Sequence, residues 1–111
     1  MEEFDCLVVY VPTADADGLR RAIAEAGAGR LGNYAACSFS TEGTGRFLPL
    51  DGARPAVGTV GEPEEVPETR IEAIYRRVER DAIVRALVAA HPYETPAFMT
   101  FPVDVSLPPE G

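Results

Sequence analysis

The chain has 111 residues, 46% hydrophobic and 25% charged, with 18 acidic against 10 basic residues and a formal charge of −8. This is an ordinary globular composition, and the length fits one domain spanning residues 1–111, with a radius of gyration of roughly 13 Å. All ten basic residues are arginine, which excludes a lysine Schiff base and a P-loop lysine, and the single histidine excludes a poly-histidine metal cage within one chain. The acidic balance argues against nucleic acid and against an anionic membrane as partners, because both demand positive surface.

The opening Met1-Glu2-Glu3-Phe4-Asp5 is acidic where a secretory signal is positive, and the longest apolar run, Cys6 to Val11, is too short to cross a bilayer. A cytoplasmic location is expected. Phe4 to Val11 is apolar on both alternating faces, which predicts a strand near the middle of a sheet. Thr13 is placed to cap a helix in which Leu19, Ala22, Ile23 and Ala26 form one apolar stripe, and Gly27 is placed to stop it.

Tyr34 to Ser40 reads as a second strand. Residues 43–67 hold Gly or Pro at 9 of 25 positions, so a long loop with short strand pieces such as Arg46 to Leu50 is predicted there. Thr69 to Val78 alternates again, with Ile71, Ala73 and Tyr75 on one face. Residues 80–90 form a second helix with Ile83, Ala86, Leu87 and Ala90 as its stripe. Ala97 to Val105 alternates as a final strand, in which Pro102 marks a sheet edge or a bulge.

The order β-α-β-loop-β-α-β is the α+β, ferredoxin-like βαββαβ arrangement. Its two crossovers put both helices on one face of a four-stranded antiparallel sheet and leave the other face bare. Since the first strand is apolar on both sides, that bare face carries an apolar patch, and a homo-oligomer is expected.

Gly27-Ala-Gly29-Arg-Leu-Gly32 spells the dinucleotide fingerprint, but a helix precedes it and a strand follows. Pyrophosphate binding needs the reverse order, so a helix stop and tight turn is the better reading, with the glycines still able to admit a ligand close to the backbone. Cys6 and Cys37 are too far apart in sequence for a C-x-x-C pair, and Cys6 reads as a core thiol. His91 follows the second helix in His91-Pro92-Tyr93-Glu94. It fits a helix-capping histidine or a metal ligand, the latter with Glu94 and with Cys37, Glu68 and Glu72 if these converge. A Cys37–His91 nucleophile would need the two groups in contact, and nothing in the sequence requires it. No catalytic residues are assigned.

Several ordered blocks carry a family resemblance. They are Gly29-x-x-Gly32-Asn33-Tyr34-x-x-Cys37-Ser38-Phe39, then Gly43-x-Gly45-x-Phe47-x-Pro49, Gly58-x-x-Gly61, Glu68-x-Arg70-Ile71-Glu72 and Ala90-His91-Pro92-Tyr93-Glu94. From about Phe4 to Val105 the chain resembles the YqfO-type CutA/PII-like family, the module found inserted in NIF-three-like dinuclear-metal proteins and also free-standing. The resemblance implies a CutA/PII-type ferredoxin-like fold, a homo-oligomer (a trimer in preference to a dimer), and a small effector or divalent metal ion bound at clefts between subunits. The dinuclear-metal chemistry of the host domain is not carried over, because this chain has one histidine. His91, Glu94 and Cys37 are the expected metal-side residues, and Gly29, Gly32, Asn33 and Tyr34 the expected ligand-binding turn. The competing expectation is an interaction module in which these blocks are structural.

Overall fold

The computed structural model describes residues 2–106. Four strands, β1 (Phe4–Pro12), β2 (Phe39–Phe47), β3 (Glu64–Arg76) and β4 (Ala97–Val103), form one antiparallel sheet in the order β2-β3-β1-β4. Two helices, α1 (Ala16–Glu25) and α2 (Arg80–Ala90), lie in the two crossovers, each entered through a 3-10 turn. This is the ferredoxin-like arrangement the element order predicted.

Both helices pack on the face that carries alternate residues of the central strands. Leu7, Val9 and Val11 of β1 meet Ile71, Ala73 and Tyr75 of β3 beneath Leu19 and Ile23 of α1 and Ile83 and Leu87 of α2. Each of these side chains is at least 96% removed from solvent. Truncating one such as Leu87 to Ala would cost about 2–5 kcal/mol through lost transfer energy and the cavity left behind. At the rim of this layer the buried Asp5 is neutralised. It accepts from the Tyr75 hydroxyl at 3.2 Å and from the Arg77 guanidinium at 2.9 Å.

Several boundaries differ from the sequence reading: β3 runs from Glu64 to Arg76 in place of Thr69 to Val78, and β4 ends at Val103 in place of Val105. The second strand begins at Phe39, not Tyr34, and runs through Gly43 and Gly45 to Phe47, because pairing with β3 from Phe39–Glu72 to Phe47–Glu64 overrides the weak strand preference of glycine. The irregular loop is correspondingly shorter, 48–63. Thr13 does not cap α1. It opens the 3-10 turn, and its hydroxyl accepts from Thr69 at 3.0 Å.

Gly27 ends α1 as predicted. At φ +123° it lets its own N–H bond to the Ala24 carbonyl while the Ala28 N–H reaches Ile23, a paired closure that satisfies the last carbonyls of the helix. Pro102 sits on β4, an edge strand, as its missing donor requires.

The sheet outruns its helices. β3 alone spans about 43 Å at the usual rise per residue, and the molecule measures 58 × 24 × 21 Å. The radius of gyration of 15.6 Å accordingly exceeds the sequence expectation. The face without helices displays Phe39, Met99 and Phe101, which are 62%, 48% and 41% exposed.

Candidate functional site

The end of the sheet farthest from the chain's N-terminus holds a cleft of about 410 Å³. Its walls are the apolar loop after β2, including Leu48, Leu50 and Val57, and the segment Tyr93 to Ala97 that leads into β4. Tyr10 and Glu68 form its inner side, contributed by the two central strands, where they sit on the sheet face without helices.

His91 sets this geometry. It is the residue that ends α2, with 6% of its surface exposed. Its Nε2 lies 2.7 Å from the Tyr10 carbonyl oxygen, so that nitrogen carries the proton and donates it. Its Nδ1 accepts from the Tyr93 backbone N–H at 3.1 Å. The ring is therefore the neutral Nε2–H tautomer with both nitrogens engaged.

Held this way, Tyr93 turns its hydroxyl to Glu68 Oε2 at 3.0 Å and stacks edge-on against Phe47, with centroids 5.6 Å apart. Burial and the Glu68 carboxylate push the Tyr93 phenol up to about 12. Glu68 can lie flat because Gly45 faces it; a Cβ on Gly45 would stand 2.0 Å from Glu68 Oε1. Glu94 Oε1 accepts from the Arg54 backbone N–H at 3.2 Å and so ties the loop to the body.

The expected metal trio is not assembled within one chain. Among the described residues no three His, Cys, Asp or Glu side chains converge on a common point. The Cys37 N–H bonds to Gly29, whose own N–H bonds to Ile74, the partner of Cys6. Cys6 is four residues from Tyr10 along β1, about 13 Å, so Cys37 lies well away from His91. With both ring nitrogens of His91 occupied, the residues present do not fit a metal centre inside a single subunit. Glu68 does converge on the His91 block, through Tyr93. Glu72 does not; it pairs with Arg70 at 3.2 Å.

The expected ligand turn is a tight hairpin. Leu31 and Tyr34 exchange two backbone hydrogen bonds of 2.9 Å around Gly32 and Asn33. Asn33 and Tyr34 are exposed, Tyr34 by 75%. Gly29 does not open toward a ligand, because the Cys37 backbone already fills the space its side chain would take. Gly32 lines a separate depression of about 380 Å³ with Arg30, Arg76, Glu2 and Phe4. No strand–glycine–helix order exists here, so the fingerprint-like spelling is a helix stop followed by a hairpin, as read from the sequence. Sequence reasoning missed Tyr10, Phe47 and the loop at 48–57 as cleft walls. Phe47 and Pro49 stand in one of the family-like blocks, whereas no local signal marks Tyr10, whose place in the cleft comes from strand pairing.

No family model matches the chain. A Mycobacterium tuberculosis protein called GTP cyclohydrolase 1 type 2 homolog is 48% identical over 99 residues, covering 89% of this chain and 26% of that protein. The crystal structure of a Bacillus cereus protein related to NIF3 superposes with a TM-score of 0.81 at 42% identity, over 94% of this chain and 26% of the other. The chain spans about a quarter of the length of the relatives it matches.

At fold level it is similar to CutA from Archaeoglobus fulgidus (TM-score 0.64, 17% identity, 96% and 88% of the two chains). It is similar in the same way to Bacillus subtilis GlnK (TM-score 0.61, 10% identity, 91% and 85%). Sheet order, helix placement and these superpositions define a ferredoxin-like domain of the CutA/PII type. Within that class, the chain is similar at 42–48% identity to a segment making up about a quarter of the NIF3-related proteins.

Proposed function

We propose that this domain is a non-enzymatic homo-oligomeric binding module that holds a small effector in the cleft between Tyr93, Glu68 and the loop at 48–57. The observation that carries the reading is the exposed apolar pair Met99 and Phe101 on the helix-free face of edge strand β4, which runs through Ala97 and its neighbour Tyr10 to the cleft, with Phe39 on the opposite edge of the same face beyond Glu72 and Val8. A patch of this kind on a small domain marks self-association. Docking a second copy there would place the cleft at a subunit boundary. A trimer is the assembly implied by the family resemblance, and a cytoplasmic location belongs to the same reading. No described helix is long and apolar enough to cross a membrane.

A small organic effector fits the cleft better than a divalent metal does, because a metal would need ligands from more than one subunit. The activity named for the longer relatives is not proposed for this domain, which corresponds to a quarter of their length.

Light scattering tests the assembly. The expected mass is about three times the 11.9 kDa of the chain, and Met99→Asp with Phe101→Asp is expected to release monomers of unchanged circular dichroism. A wild-type monomer at micromolar concentration would overturn the reading. An oligomer that binds no small molecule at the cleft would instead leave a purely structural interaction module.

A further inference from the structure

The cleft has a chemical character of its own, and this inference rests on reading it as a ligand site. We infer that it selects an organic cation, a small molecule with an ammonium or guanidinium head and an apolar body, and that it rejects phosphate-bearing ligands.

Three features lead there. The formal charges at the wall are Glu68, Glu94 and Arg46, and Arg46 is committed to Glu65 through Nε at 3.0 Å. Among the described residues neither carboxylate has an ion-pair partner; Arg70, which shares the adjacent depression with Glu68, pairs with Glu72 at 3.2 Å. Each is anchored on its sheltered side only, Glu68 by the Tyr93 hydroxyl and Glu94 by the Arg54 N–H. The Glu68 carboxylate is set in place by Gly45, where any side chain would displace it.

The aromatic rings of Tyr10, Phe47 and Tyr93 are the second feature. An electron-rich ring face attracts a desolvated cation, most strongly where carboxylates add to the field. Leu48, Leu50 and Val57 then offer the apolar contact that an inorganic cation would not use.

The third feature is the scant provision for an anion at the cleft wall, where the basic lining side chain, Arg46, is paired with Glu65. A phosphate cradle needs unengaged backbone N–H groups and a free Arg or Lys. Here the loop N–H groups of Ala53, Arg54 and Gly61 are already given to Leu50, Glu94 and Pro49. The overall charge of −8 also raises the local concentration of any cation.

Titration of the full chain, followed by amide and tyrosine-ring NMR shifts, tests this with three probes: benzyltrimethylammonium, phenylacetate and ATP. Saturable shifts at Phe47, Tyr93 and Glu94 are expected with the ammonium probe at millimolar concentration, and none there with the two anions. Glu68→Gln combined with Glu94→Gln keeps the acceptors for Tyr93 and Arg54, and so the fold, and is expected to weaken the ammonium probe about tenfold.

Tighter binding of phenylacetate or ATP at those positions would overturn the cation assignment while leaving the cleft a ligand site. Ammonium binding indifferent to the double substitution would overturn it too. Silence from all three probes would remove the cleft as a site, and this inference with it.

Discussion

The imidazole of His91 donates to the backbone carbonyl of Tyr10 at 2.7 Å and so joins the end of α2 to the central strand of the sheet. The same ring accepts from the Tyr93 N–H and thereby aims Tyr93 at Glu68. One buried side chain thus couples helix, sheet and cleft. His91→Ala would leave a carbonyl and an N–H unpaired near the core, at a cost of about 2 kcal/mol. Denaturant unfolding measures that loss. Imidazole nitrogen NMR is expected to show the neutral Nε2–H form, unchanged by added zinc; a zinc-dependent shift would mean the ring leaves Tyr10.

Tyr93→Phe keeps the ring against Phe47 and removes only the hydroxyl bond to Glu68, for an expected loss of roughly 1–2 kcal/mol. The pH dependence follows from the raised phenol. The folded state holds the proton more tightly than the unfolded chain, so the stabilisation is complete below the ordinary value of 10 and is lost as pH rises toward about 12. The stability gap between wild type and Tyr93→Phe should be flat below that window and close within it. Ultraviolet titration should lose its highest phenolate step in the variant.

The three glycines of the fingerprint-like run should differ sharply. An alanine Cβ at Gly29 would meet the Cys37 carbonyl oxygen at 2.3 Å and its nitrogen at 2.5 Å, both backbone, with φ at +86°. At Gly27 it would meet the Glu79 carboxylate at 1.9 Å with φ at +123°. At Gly32 nothing lies within 4 Å, although φ is +56°. Gly32→Ala is expected to cost about 1 kcal/mol and Gly29→Ala more than about 3 kcal/mol. Gly27→Ala should fall between them and be partly relieved by Glu79→Ala. Thermal unfolding of the four variants checks the order.

The two cysteines should separate by reactivity. Cys6 is buried, and burial followed by the nearby Glu72 carboxylate raises its thiol, whereas Cys37 is half-buried in a loop. A neutral alkylating reagent is expected to modify Cys37 alone in the folded protein and both only after unfolding. Early modification of Cys6, read by peptide mass, would show that β1 opens locally.

Much of this architecture could be read from periodicity. The doubly apolar Phe4–Val11, the two apolar stripes at Leu19–Ala26 and Ile83–Ala90, and the stop at Gly27 are local patterns, and each formed where the pattern said. β2 was harder to place because Gly43 and Gly45 look like loop residues in isolation, and only the Glu68 carboxylate across the ladder explains why position 45 must be bare.

By itself, then, the sequence determined the βαββαβ order, the helix-free face with its exposed apolar edge residues, and the HPYE block as a place where polar groups gather. Tertiary structure alone decided what that block does. The partners of His91 and Tyr93 lie 81 and 25 residues away, at Tyr10 and Glu68, and no spacing rule reaches across such a gap. Strand register brings Tyr10 and Glu68 to the same end of the sheet. That register turns a histidine resembling a metal ligand into a neutral brace, and leaves the two carboxylates, Glu68 and Glu94, as the charge the cleft presents.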